Sequence, residues 1–242
     1  MSEFTKKLLY VSSLNDATRN LIDEGSAELF EALFRHMIEI NEHLNLTAIT
    51  DEDGVILKHF VDSVAISPFL PQGARIADIG CGGGFPTLPV AILRPDVSIL
   101  GLDSVTKKVN YVRDTASFLG LNNVSVSNAR AEVLGQDKQY RESFDIVCAR
   151  GVGALNLICE LCLPLVKVGG SFIAMKSLSS ESELSEAKNA ISLLGGELER
   201  CYEYTLTNGL ESLSRTIIII KKATHTPPKY PRNNSQIAKK RL

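Results

Sequence analysis

The stretch Asp78-Ile79-Gly80-Cys81-Gly82-Gly83-Gly84-Phe85-Pro86 decides the fold. The residues leading into it, Ala74-Arg75-Ile76-Ala77-Asp78-Ile79-Gly80, read as a strand over 74–80, and a helix is expected to start at Phe85 or Pro86 and run to Leu93. A strand that turns sharply into a helix beside a ligand needs backbone without side chains, which Gly80, Gly82, Gly83 and Gly84 provide. In an open α/β sheet, the carboxyl ends of the strands are where ligands bind.

Toward the C-terminus the alternation continues. A strand is expected over 97–103, a helix over 106–119, strands over 124–129 and 144–149, a helix over 154–166 and a strand over 171–176. Strands alternating with helices give a parallel sheet covered on both faces. A polar helix over 180–194 precedes strands over 197–206 and 213–221, and the short Thr207-Asn208-Gly209 segment predicts an antiparallel hairpin at the sheet edge. Toward the N-terminus, Ser26 is placed as a helix N-cap, and Leu29, Phe30, Leu33, Phe34, Met37, Ile40 and Leu44 recur at three- and four-residue spacing. Thr50 with Asp53 reads as a variant capping box opening a second helix that Pro68 stops. The expected organisation is an N-terminal helical segment over 1–72, a ligand-binding α/β domain over 73–223 and a tail over 224–242.

The chain has 242 residues, 44% hydrophobic and 22% charged, enough for a substantial core and far from the composition of a disordered polypeptide. No apolar run approaches the roughly 20 residues that span a bilayer, and residues 1–13 lack the apolar core of a secretory signal, so a cytoplasmic location is expected. The net charge of -2 hides an asymmetry: seven Lys or Arg and no acid lie between Lys221 and Leu242, which leaves residues 1–220 at a net -9. A basic tail containing Pro227, Pro228 and Pro231 is expected to be flexible and either to contact a polyanion or to act as a solubilising terminus. The five cysteines Cys81, Cys148, Cys159, Cys162 and Cys201 are scattered, and the Cys159/Cys162 pair lacks a second Cys or His pair for a metal site, so buried thiols on a helix are expected and no metal.

A dinucleotide fingerprint would place glycine at position 85, where this chain has Phe85; D-x-G-x-G-x-G is instead the pattern of adenosylmethionine-binding sheets. From the turn alone, a nucleotide site or a plain strand-to-helix turn stays open. Asp78 can attract the cofactor's ammonium group, directly or through water. Asp103, at the end of the second strand, can accept hydrogen bonds from ribose hydroxyls or cap the helix that follows.

Several further segments together resemble the bacterial 16S ribosomal RNA guanine-N7 methyltransferases, the glucose-inhibited division protein B family. They are Asn45-Leu46-Thr47-Ala48, His59-Phe60-Val61-Asp62-Ser63, Asp78 to Pro86, Leu102-Asp103-Ser104 with Lys107-Lys108, Ala129-Arg130-Ala131-Glu132, Ala149-Arg150, Leu155, and Lys229-Tyr230-Pro231-Arg232. The resemblance implies a class I, Rossmann-like methyltransferase sheet, mostly parallel with an antiparallel edge hairpin. It implies S-adenosyl-L-methionine as cofactor, contacted at Gly80, Phe85, Ala131, Glu132 and Arg150 with Asp78 and Asp103 close by; Gly82 of the turn is a further candidate contact. It also implies action on 16S rRNA or the small ribosomal subunit, at guanine 527 of the 530 loop; a monomer is expected. The chain departs from the family at Gly151, where alanine is usual, and at Asn233-Asn234-Ser235, which replace a glycine-threonine-proline tail.

Guanine N7 carries a lone pair and no proton, so its methylation needs alignment rather than a general base. Arg150 is the candidate catalytic residue, orienting the cofactor or guanine O6 or pairing with a phosphate; a structural ion pair with Glu132 is its alternative. His59 and Asp62, three apart, are expected to fix the N-terminal helices on the sheet. Lys107, Lys108 and Arg113 form either a solvated helix face or part of an RNA footprint, with Lys58 and Arg35 adding charge elsewhere. Rival readings are a methyltransferase with a small-molecule acceptor and a non-catalytic adenosylmethionine- or RNA-binding module.

Overall fold

Seven strands stand in the order β3-β2-β1-β4-β5-β7-β6 in a computed structural model that describes residues 1–177 and 181–242. They are β1 (Arg75–Ile79), β2 (Ser98–Asp103), β3 (Val124–Asn128), β4 (Phe144–Arg150), β5 (Val166–Lys176), β6 (Gly196–Thr207) and β7 (Ser212–Lys222). The first five pair in parallel; β7 runs antiparallel to both β5 and β6. The hairpin expected at the edge is present, with its second strand inserted against β5. The strand order reverses between β1 and β4, and the crevice that opens there is the place for a ligand.

The strands alternate their side chains between two covered faces. On one, Ile76, Ile99, Ile146, Ile173 and Ile217 pack with Ala65, Ile66, Val90 and Ala91. On the other, Ala77, Ile79, Leu102, Val147, Phe172 and Ile218 meet Leu155, Ile158, Ala187 and Ile191. The first face carries α5 (Thr87–Leu93) and α6 (Thr106–Phe118), and the second carries α7 (Ala131–Leu134), α8 (Leu155–Cys162) and α9 (Glu181–Leu193). Period-2 burial on both faces is what a doubly covered sheet requires. Ser180, expected to begin the polar helix, lies outside the described residues.

The N-terminal residues add a helical cap to the first face. α1 (Glu3–Leu14) and α2 (Glu24–Leu44) pack against each other and against a third helical segment, which has no helix break from Glu52 to Val64. Phe30, Leu33 and Met37 of α2 are fully buried, and each such side chain contributes about 1.5–3 kcal/mol of transfer free energy. Ser26 is not the N-cap of α2: Asp23 holds that place, and Ser26 closes the capping box by bonding back to the Asp23 backbone. The N-cap of the third segment is likewise Asp51, whose carboxylate accepts from Gly54 N at 2.7 Å, rather than Thr50. Between α3 (Glu52–Gly54) and α4 (Asp62–Val64), residues Val55–Val61 widen into a π-helix, an irregularity common at functional sites.

Two further expectations are corrected. The helix expected over 154–166 ends at Cys162 and tightens into a 3-10 turn at Leu163–Leu165, because Pro164 has no N–H to continue it; β5 then begins at Val166. Residues 224–242, expected as a flexible tail, instead pack back on the core with Thr226, Tyr230 and Ile237 buried and a short α10 (Asn234–Lys239). Prolines that cannot join a sheet can still pack along a surface, and here Gln136, which follows α7, donates to Pro228 O and Pro231 O while Glu160 of α8 holds Arg232. Among the described residues, no helix is long and apolar enough to cross a membrane.

Candidate functional site

The glycine turn is tied to the end of the neighbouring strand. Gly80 N and Cys81 N both donate to Leu102 O of β2, at 2.8 and 3.0 Å. Gly82 N donates to Asp103 Oδ2 at 3.0 Å, while Asp103 Oδ1 accepts from Val105 N at 2.8 Å. Asp103 therefore serves the turn and the start of α6 at once, and its carboxylate has lone pairs left for a ligand. Gly80 has φ +74°, and a Cβ there would lie 2.8 Å from Val152 Cγ2, so both backbone and space demand glycine.

Two cavities open at the carboxyl ends of the strands. The first, of about 230 Å³, is lined by Gly80, Asp103, Ala131, Glu132, Val152 and Asn234. The second, of about 300 Å³, is lined by Lys58, His59, Asp62, Arg150, Lys176 and Arg215, and also by Val152. Val152 is the wall they share, and the residues on either side, Gly151 and Gly153, have φ +69° and +153°.

The expected cofactor set divides over this geometry. Gly80, Asp103, Ala131 and Glu132 meet in the first cavity, with Gly82 behind Asp103. Arg150 lines the second cavity. Asp78 and Phe85 line neither. Phe85 is buried, its ring stacked on His59 at 4.4 Å and lying 5.6 Å from the Arg150 guanidinium, so it spaces the turn from the N-terminal helices. Asp78 is buried with Oδ2 accepting from the Thr87 hydroxyl at 2.6 Å and Oδ1 without a partner. Burial pushes its pKa up to about 6, against the lowering effects of the Thr87 bond and Arg150.

The second cavity is organised around one acid. Asp62 accepts from Arg150 Nη1, Arg215 Nε and the Tyr204 hydroxyl, each at 3.2 Å. Arg150 Nη1 also donates to Lys58 O at 3.0 Å. The ion pair weighed for Arg150 with Glu132 is not formed; Glu132 faces Arg130 at 3.9 Å, while the acid that aligns Arg150 comes from α4. Lys58, taken to add charge elsewhere, lines this cavity and pairs with Glu211 at 3.1 Å, and Lys176 Nζ reaches Gly153 O at 2.8 Å. Four cations thus line this cavity, Arg150 and Arg215 held by Asp62, Lys58 by Glu211 and Lys176 by Glu183 at 2.6 Å, a setting for phosphate or for an electron-rich base edge. His59, bonded to the Thr47 hydroxyl at 2.8 Å, has its pKa lowered to about 4 by burial and the nearby Arg150 charge, so it is neutral at pH 7.

Lys176, Arg215, Val152 and Asn234 were not found by sequence reasoning. Lys176 carried a signal, since it ends a parallel strand at the ligand-binding edge. Arg215, on an antiparallel strand, and Asn234, in the last helix, carried none. The five cysteines are free; Cys81, Cys148, Cys159 and Cys162 are buried, and burial raises each of their thiol pKa values. Among the described residues, no three His, Cys, Asp or Glu side chains converge as a metal ion requires.

A family model described as rRNA small subunit methyltransferase G matches residues 26–208. The ribosomal RNA small subunit methyltransferase G of Geobacillus sp. (strain WCH70) is 45% identical over 205 residues, covering 84% of this chain and 85% of that protein. Its namesake in Lactobacillus helveticus (strain DPC 4571) is 43% identical over 216 residues, covering 88% and 89%. Among solved structures, a SAM-dependent methyltransferase from Aquifex aeolicus superposes with TM-score 0.51 at 16% identity, over 70% of this chain and 93% of that one. The precorrin-6y C5,15-methyltransferase of Geobacter metallireducens GS-15 does so with TM-score 0.51 at 22% identity, over 72% and 90%. At those identities the likeness is one of fold.

Proposed function

The chain belongs to the rRNA small subunit methyltransferase G family, and on that premise we propose that it methylates N7 of guanine 527 in the 530 loop of 16S rRNA, with S-adenosyl-L-methionine as methyl donor. The observation that carries this reading is the pair of cavities sharing Val152: a nucleoside-sized one beside the glycine turn, and a cation-rich one beside it for an RNA nucleotide.

The residues present fit the cofactor. In the first cavity Asp103 offers acceptors where a ribose is recognised, Gly80 leaves the backbone bare, and Ala131 and Glu132 follow the third strand, where adenine is expected. Asp78 Oδ1, buried without a partner, leaves negative charge beneath the turn for an ammonium group. When bound, the cofactor supplies an electrophilic methyl group on a sulfonium centre.

The protein's own part is positioning. Asp62 holds Arg150 and Arg215 so that their guanidinium groups face the second cavity, where they take guanine O6 or a flanking phosphate. Among the described residues, the other N–H groups of Arg150 have no protein acceptor, which leaves them for the nucleotide. Neutral His59 and the absence of a proton on N7 agree: the reaction asks for alignment of a lone pair, not proton removal. The same reading makes the protein a cytoplasmic monomer acting without a metal, on free 16S rRNA or on the assembled small subunit.

The test is transfer of a labelled methyl group to small subunits, protein-free 16S rRNA and small-molecule acceptors, followed by chemical cleavage at N7-methylguanine. Label on either RNA form with cleavage at the one guanine is expected; label on small molecules alone overturns the proposal.

A further inference from the structure

The C-terminal residues that follow β7 are held by a chain of specific anchors. Fully buried Lys222 Nζ donates to Leu163 O at 2.8 Å, to Leu194 O at 3.1 Å and to the Thr226 hydroxyl. The Arg141 guanidinium gathers Thr226 O, Tyr230 O and Gly135 O, each at 2.7 Å. Gln136 Nε2 donates to Pro231 O at 2.9 Å. Glu160 of α8, 1% exposed, accepts from Arg232 N, Nε and Nη2 at 3.0, 2.8 and 2.6 Å. Three donors on one buried carboxylate form a fixed clamp. The strap is thus fastened to residues 135–141, just after α7, and to α8.

Both fastening points belong to the wall of the first cavity. α7 contributes Ala131 and Glu132 to it, and α8 contributes Leu157 and Leu161. The clamp delivers Asn234, two residues past Arg232, to the same lining. Asn234 is exposed, and among the described residues its side-chain amide has no hydrogen-bond partner, because the capping of α10 is done by Asn233. An amide offers a donor and an acceptor side by side, the pair that matches the N6/N7 edge of adenine.

We propose that the C-terminal strap is a wall of the cofactor site and that Asn234 recognises the adenine of the bound nucleoside. This rests on the reading that the first cavity takes adenosylmethionine. It also gives Asn233-Asn234-Ser235, the point where the chain leaves its family's pattern, a role in this protein.

The test is calorimetric titration of the full chain with S-adenosylhomocysteine and with adenosine, for wild type, Asn234→Ala and Asn234→Asp. Losing one hydrogen-bonding amide should weaken both ligands about 5- to 10-fold in Asn234→Ala, with the melting temperature unchanged because Asn234 is exposed. Asn234→Asp, which keeps an acceptor and loses the donor, should recover at most part of the affinity. Wild-type affinity in Asn234→Ala overturns the proposal while leaving the cofactor reading intact. Weakening of S-adenosylhomocysteine but not of adenosine overturns the adenine assignment, and failure of the wild type to bind either ligand overturns both readings.

Discussion

Asp78 and Asp62 show how burial gives two like residues different work. Asp78 has one bonded oxygen and one without a partner, and its pKa rises from 3.8 to about 6 on folding. A carboxyl raised in this way favours the folded chain when protonated; the stabilisation is complete below pH 4 and is lost as the pH passes through 6. Asp78→Asn cannot titrate, so relative to wild type it should gain stability between pH 4 and pH 7, by up to about 3 kcal/mol. Thermal unfolding across that range checks this, and parallel curves for the two proteins would count against it. Asp62 differs in its partners, with three donors converging on its carboxylate. Asp62→Asn should release Arg150 and Arg215 and lower the rate of methyl transfer to RNA by on the order of 100-fold, with cofactor affinity retained. Single-turnover kinetics beside calorimetry separates the two. That Arg150 stands at a strand end was legible in sequence; that Asp62 aligns it was not, because their 88-residue separation closes only in the fold.

The turn between β1 and α5 shows what an element demands. Gly84 has φ +88°, and a Cβ there would stand 2.5 Å from Leu88 Cδ1. Gly73 has φ +69° with nothing within 4 Å of its would-be Cβ. Gly73→Ala should cost only the backbone term of about 1–2 kcal/mol, and Gly84→Ala that term plus a clash. For a chain of this size the first corresponds to a fall in melting temperature of roughly 2–8 °C, and the second to a larger one. Equal falls would show that Leu88 moves aside freely. Gly80 combines positive φ with Val152 at 2.8 Å, so a side chain there disturbs the wall between the cavities as well as the space proposed for the cofactor. The turn was readable because its glycines answer a local backbone need. The capping residues were misplaced by up to three positions because several neighbouring Asp, Ser and Thr side chains can cap a helix and only tertiary packing selects one.

At the scale of the whole molecule, the C-terminal residues are a structural strap before they are a charged surface. Lys222 is fully buried and Arg232 is clamped to Glu160, so two of the seven cations counted from the sequence are engaged inside the protein. Removing residues 224–242 takes away the Thr226 bond to Lys222, the Arg232–Glu160 pair and the buried Tyr230 and Ile237. Leaving the buried Glu160 carboxylate without its cation should lower stability by about 3–5 kcal/mol, whereas Lys222 loses only the Thr226 hydroxyl and keeps Leu163 O, Leu194 O and Glu142. Denaturant unfolding of the truncated chain checks this. A midpoint equal to wild type would mean that the strap is not bound to the core in solution.

Much of the fold was determined by the sequence alone, because alternation of apolar residues with period 2 and 3.6, interrupted by glycine turns, is a local property of the chain. The glycine turn, Asp103 and the pair Ala131-Glu132 were legible for the same reason: each sits at or just after a strand end, which is where a parallel sheet presents its ligand site. Only the tertiary structure decided that Asp62 joins Arg150 to Arg215, that Val152 divides two cavities, and that a proline-containing basic terminus folds back to bring Asn234 to one of them. Those contacts join residues up to about 150 positions apart, and no local pattern encodes a distance that only the assembled sheet creates.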